Sequence, residues 1–126
     1  MIALPPSITL SKRVTDQFRT IKTRTGITNN VLARMAISLA IESQEDVANA
    51  HKEDSLGQTL DKELLFGDLS PVYEAVIREY MLERNIELSA ANTIASLVEI
   101  GAHKMAHVRS LAQFSELGAY SGQVDQ

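Results

Sequence analysis

Glu99, His103 and His107 recur every four residues. A helix returns side chains to one face at that interval, and two histidines so spaced can share a metal ion. The remainder of such a centre is missing. The chain has no Cys to add a thiolate. Lys104 follows the first histidine, so the general-base Glu of a His-Glu-x-x-His helix has no counterpart. A surface histidine pair is expected, with no metal and no cofactor. Glu79 and Glu83 also stand four apart, on a face expected to be solvated. Neither a Gly-x-Ser-x-Gly elbow nor a Gly-x-x-x-x-Gly-Lys-Ser/Thr loop occurs. The absence of Cys further excludes a disulfide scaffold and a Cys-held iron–sulfur cluster. No active site emerges, and the chain is not expected to be an enzyme.

Charge gives a stronger signal than nucleophiles. The net charge is −4, which argues against a general polyanion binder, but the average hides an asymmetry. Residues 1–41 hold Lys12, Arg13, Arg19, Lys22, Arg24 and Arg34 against Asp16 alone, a balance of +5. Residues 42–126 hold six basic and fifteen acidic side chains, a balance of −9. A basic first third on an acidic body implies one face made for an anionic partner. An aromatic base-stacking platform is not expected from three Phe, three Tyr and no Trp.

The 126 residues, 44% of them apolar, suffice for one domain, 1–126. No apolar run approaches the roughly 20 residues of a membrane helix. With no basic residue in Met1–Leu10 to open a signal peptide, a cytoplasmic location is expected.

The elements that carry the basic residues follow from patterning. Ser7-Ile8-Thr9-Leu10 alternates after Pro5-Pro6, predicting a short extended segment. Ser11 is a helix N-cap, and Val14, Phe18 and Ile21 form one apolar stripe. Gly26 stops this helix. Thr28 caps a second, broadly apolar helix to about Glu42. Residues 43–69 are a polar connector containing short strands or turns, anchored by Leu60, Leu64, Leu65 and Phe66. Ser70, as N-cap, and Pro71 open a third helix that buries Tyr73, Val76, Ile77, Tyr80 and Met81, and Asn85 closes it. Ser89 caps a last helix whose stripe runs from Ile94 to Ala112, with Gly101 permitting close approach of another helix. Residues 70–114 thus form two helices and 115–126 a frayed tail. The fold class is mostly α. The aliphatic faces Val31–Ile41 and Ile94–Ala112 predict a homo-oligomer, a tetramer, with at least one of these helices at the interface.

The order of segment, helix, Gly turn and helix over residues 4–42 resembles a ribbon-helix-helix unit. That resemblance implies that two chains pair their strands, that Ser7 and Thr9 read base edges, and that Thr28, Asn29 and Asn30 clamp a phosphate at a helix start. Simple capping with a solvated strand face stands beside it. On this reading the chain is a transcriptional regulator or antitoxin.

Leu4-Pro5, Ile8-Thr9-Leu10-Ser11 and the run Arg24-Thr25-Gly26-Ile27-Thr28-Asn29-Asn30-Val31-Leu32-Ala33-Arg34 resemble the start of the DndE family. Phe66-Gly67-Asp68 ahead of a helix Tyr73–Arg84 and a long final helix is similar to that family's layout. DndE is the small E subunit of bacterial DNA phosphorothioation, which replaces a non-bridging phosphate oxygen with sulfur. The resemblance implies a non-catalytic homotetramer that binds double-stranded DNA, nicked duplex included, beside the other subunits of the sulfur modification complex. It assigns the DNA contacts to basic residues, for which Lys12, Arg13, Arg19, Lys22 and Arg24 are the matching positions. Arg34, on the apolar second helix, is either an ion-pair partner or a phosphate contact.

Overall fold

The computed structural model describes residues 3–47, 50 and 54–106. The chain runs β1 (Ser7–Thr9), α1 (Lys12–Thr25), α2 (Asn29–Ser43), β2 (Thr59–Asp61), α3 (Lys62–Leu65), a 3-10 turn (Gly67–Leu69), α4 (Ser70–Glu83) and α5 (Ala90–Lys104). The fold is mostly α, as expected.

Local chemistry sets the ends of α1. The Ser11 hydroxyl accepts the Val14 N–H at 3.2 Å, and Gly26, at φ 79°, returns its N–H to the Lys22 carbonyl at 2.7 Å. The left-handed backbone there suits a residue without Cβ. Val14, Phe18 and Ile21 are buried as their spacing predicts. The α2 start at Thr28 lacks a side-chain cap bond, so helical periodicity alone marks it.

The strand β1 pairs antiparallel with β2 of the same chain, Ile8 opposite Leu60. Both of these side chains enter the core, and Ser7, Thr9, Thr59 and Asp61 take the other face. The ribbon is therefore closed within one chain, where the ribbon-helix-helix pattern pairs β1 with a second copy.

The central element is α5, buried from Thr93 to Ala102 on every side and packed most extensively on α2. Gly101 makes this possible: a Cβ there would lie 1.9 Å from the Ala36 carbonyl oxygen. Backbone thus meets backbone, the close approach that the glycine's place on the apolar stripe implies.

Four expectations need correction. The last helix ends at Lys104, where Met105 turns its N–H to the Ala102 carbonyl at 3.0 Å and buries its side chain. Val108, Leu111, Ala112 and the tail lie outside the described residues. Leu64 is exposed, because α3 turns Leu65 inward and carries its neighbour out, while Leu60, Leu65 and Phe66 anchor the connector. Val76 is exposed too, since α4 seats only Ile77, Tyr80 and Met81 fully on the core. Ser70 is the first helical residue rather than the cap: its hydroxyl donates to the Gly67 carbonyl at 2.8 Å. Among the described residues, the apolar faces of α2 and α5 pack largely against each other.

Candidate nucleic-acid interface

Five residues expected to meet DNA stand on the exposed arc of α1. At about 100° per residue, Lys12 and Arg19 lie within roughly 20° of one another, whereas Arg13 and Arg24 fall about 100–120° round the helix. Lys12 and Arg19 reach the mouth of an open cleft, about 540 Å³, that is also lined by Thr15, Asp16, Asn29, Leu56, Gly57 and Gln58. Three of the eight expected residues, Lys12, Arg19 and Asn29, thus meet in one place.

The floor of the cleft is the 56–58 segment crossing the start of α1. Gly57 donates its N–H to the Leu10 carbonyl at 3.0 Å, and the Thr15 hydroxyl accepts the Gln58 N–H at 2.9 Å. A Cβ on Gly57 would lie 2.2 Å from the Thr15 hydroxyl oxygen and 2.3 Å from the Ser11 carbonyl oxygen. Only glycine lets the crossing come this close. Asn29 donates its amide to the Gln58 side chain at 2.6 Å, which ties α2 to the same segment.

Much of the apparent positive charge is balanced internally. Asp16 takes Lys12 Nζ at 2.8 Å on one oxygen and Arg19 Nη1 at 2.9 Å on the other. The hydrogen bond from Lys12 does most to hold the Asp16 carboxyl below its ordinary range; desolvation opposes it, and the Lys12 charge and then the Arg19 hydrogen bond and charge add to the lowering. Arg13 Nη2 lies 2.8 Å from Oε1 of Glu99, and the second Glu99 oxygen accepts the Ser11 hydroxyl at 2.6 Å. Glu99 is 5% exposed, so both of its oxygens serve the α1–α5 junction rather than a face shared with His103. His107 lies outside the described residues. The Lys12 N–H itself is held by Asp54 at 2.9 Å.

Lys22 and Arg24 differ. Both are exposed in the last turn of α1, with no carboxylate partner among the described residues. Just beyond the Gly26 turn, Thr28 is exposed at the α2 N-terminus, where its hydroxyl makes no cap bond. Asn30 is committed elsewhere: its amide donates to the Leu64 carbonyl at 2.9 Å. Among the described residues Arg34 has no carboxylate partner, and it does not line this cleft. Its guanidinium donates to the Leu65 carbonyl at 2.6 Å and so closes α3.

Asp16 was missed as a determinant, although its position, four after Lys12 and three before Arg19, is a local signal. Gln58 and Gly57 carried none, because their role depends on a crossing distant in sequence. Among the described residues no group of three His, Asp or Glu side chains is placed to hold a metal ion, and no helix is long and apolar enough to cross a membrane.

Fold and site define a small, mostly helical domain that displays five basic residues on one surface helix. The family model for the DNA sulphur modification protein DndE matches residues 7–117. The chain belongs to the DndE family and so to DNA phosphorothioation. The crystal structure of DndE from Escherichia coli B7A, involved in DNA phosphorothioation modification, is similar at a TM-score of 0.64 and 27% identity, covering 81% of this chain and 98% of that one. A DndE mutant structure is similar at 0.64 and 25% identity, with the same coverage. No curated protein matches significantly.

Proposed function

We propose that the chain is a non-catalytic subunit of the phosphorothioation machinery that binds double-stranded DNA, nicked duplex included, through α1 and the start of α2. The observation that carries this reading is the last turn of α1, just before the open α2 N-terminus, where Lys22 and Arg24 are exposed on two flanks of the helix about 160° apart and are uncompensated among the described residues. Cations and free backbone N–H groups suit phosphates, and they fix position on a duplex without reading sequence. Lys12 and Arg19 extend the same arc. Arg13 supports it from beneath, since Glu99 takes at least one of its guanidinium nitrogens.

The ribbon-helix-helix regulator is not carried forward. Base reading by that fold needs an outward polar ribbon face, and here the face holds the Asp61 carboxylate opposite Ser7. Thr9 shares its hydroxyl hydrogen with Thr59 at 2.9 Å. A carboxylate on the groove-facing side opposes phosphate approach.

Other subunits of the sulfur modification complex and further copies of this chain are the proposed protein partners. We place the homotetramer surface on α4, where Val72 and Val76 follow Leu69 of the preceding turn along one face and all three are exposed.

The test is a salt titration of binding to intact, nicked and single-stranded DNA by the wild type, Lys22→Ala and Arg24→Ala. Each substitution is expected to weaken duplex binding regardless of sequence. Each should also flatten the log–log salt slope by about 0.9 for every phosphate that the variant leaves unneutralised. Unchanged affinity and slope in both variants would remove the interface from this end of α1.

A further inference from the structure

We infer that Asp16 is a tethered competitor for phosphate, occupying the Lys12–Arg19 pair in the free protein and lowering the affinity of this part of the helix for polyanions. The inference rests on the DNA-binding reading above and adds a residue that sets binding strength.

The geometry is that of an anion already bound. One Asp16 oxygen takes Lys12 Nζ and the other takes Arg19 Nη1, at 2.8 and 2.9 Å. Two oxygens of one anion bridging two cations is the arrangement that the non-bridging oxygens of a phosphate adopt between Lys and Arg. The remaining cleft groups near them, Asn29, Gln58 and Thr15, are neutral, so Asp16 is the single carboxylate lining the cleft among the described residues.

The contact is built to exchange. The side chains of Lys12, Asp16 and Arg19 are 66%, 46% and 69% exposed. Ion pairs this wet are weak, and a phosphate arriving from solvent can replace the carboxylate without unfolding anything. The two neighbouring cations keep Asp16 ionised at neutral pH, so the competition is permanent there. Lys22 and Arg24, without such a carboxylate among the described residues, bind first. Lys12 and Arg19 join only by exchanging Asp16 for phosphate, and the released carboxylate then recruits solution cations. Net counterion release is smaller than four cations alone would give.

The experiment compares Asp16→Asn with Glu87→Gln, which makes the same change in net charge in the exposed turn between α4 and α5. Duplex binding is followed by fluorescence anisotropy over a salt series, with inorganic polyphosphate as a second probe. Asp16→Asn is expected to tighten duplex binding about 3- to 10-fold, as displacing an exposed pair allows, and to steepen the salt slope by about 0.9 to 1.8. Glu87→Gln should do neither, and melting temperatures should stay together. Adding Lys12→Ala should cost more affinity in the Asp16→Asn background than in the wild type. Equal effects of Asp16→Asn and Glu87→Gln, or no effect of either, would overturn the proposal. If Asp16→Asn tightens polyphosphate binding while no variant, Lys22→Ala and Arg24→Ala included, alters duplex binding, the competition stands and the DNA reading fails.

Discussion

Arg13 and Glu99, 86 positions apart in the chain, meet at 2.8 Å where the first turn of α1 lies on the middle of α5. The pair is asymmetric. The arginine side chain is 45% exposed, whereas the glutamate is 5% exposed and has Ser11 on its other oxygen. Removing the arginine strands a buried charge, while removing the glutamate leaves a cation that water can reach.

Arg13→Ala is therefore expected to destabilise the fold by about 3 kcal/mol, the usual cost of an uncompensated buried charge. Glu99→Ala is expected to cost about 2 kcal/mol, and the double variant clearly less than the sum of the two. Urea unfolding of all three variants checks this. Equal and additive losses would show that the pair does not couple.

Gly101→Ala tests the α2–α5 packing. The added methyl would sit 1.9 Å from the Ala36 carbonyl oxygen, and backbone cannot rotate away as a flexible side chain can. A loss of about 3 kcal/mol, at the upper end of overpacking effects, is expected in thermal or urea unfolding. A loss below about 1 kcal/mol would mean that the helices separate readily.

Ser7→Ala with Thr9→Ala should change duplex affinity by less than twofold on any sequence. A sequence-dependent loss of about 1–3 kcal/mol, the worth of a base contact, would restore the base-reading ribbon. The measurement is anisotropy on several duplexes of different sequence.

Val72→Asp and Val76→Asp should disperse the proposed homotetramer to a mass near the 13.8 kDa of one chain while circular dichroism stays helical. Charges are poorly tolerated at the apolar centre of an interface. Light scattering of the wild type and both variants decides the matter, and an unchanged mass in both would clear α4 of that role.

Legibility in the sequence followed the range of the forces involved. The limits of α1 were readable because Ser11 and Gly26 act on the adjacent turn. Gly101 was readable because a glycine on an apolar stripe has few uses. Leu64 and Leu65 were not separable, since a single-turn helix too short to show a period decides which faces inward. The basic arc was identified residue by residue, but its charge was overstated. The carboxylate that neutralises Arg13 comes from α5, and no spacing rule links residues so far apart. Asn30 and Arg34 were visible as polar residues on α2, yet their acceptors, the Leu64 and Leu65 carbonyls, are created only when α3 forms.

The central placement of α5 has a consequence for the order of assembly. Three of its partners, α1, α2 and β1, are separated from it in sequence by the whole connector and α4. Until α5 arrives, the apolar stripe of α2 lacks its main cover, and the Arg13 guanidinium lacks Glu99. Closing so long a loop costs entropy before any contact repays it. Folding should accordingly be slow for a helical domain of this size, its rate set by when α5 docks rather than by how fast the individual helices form.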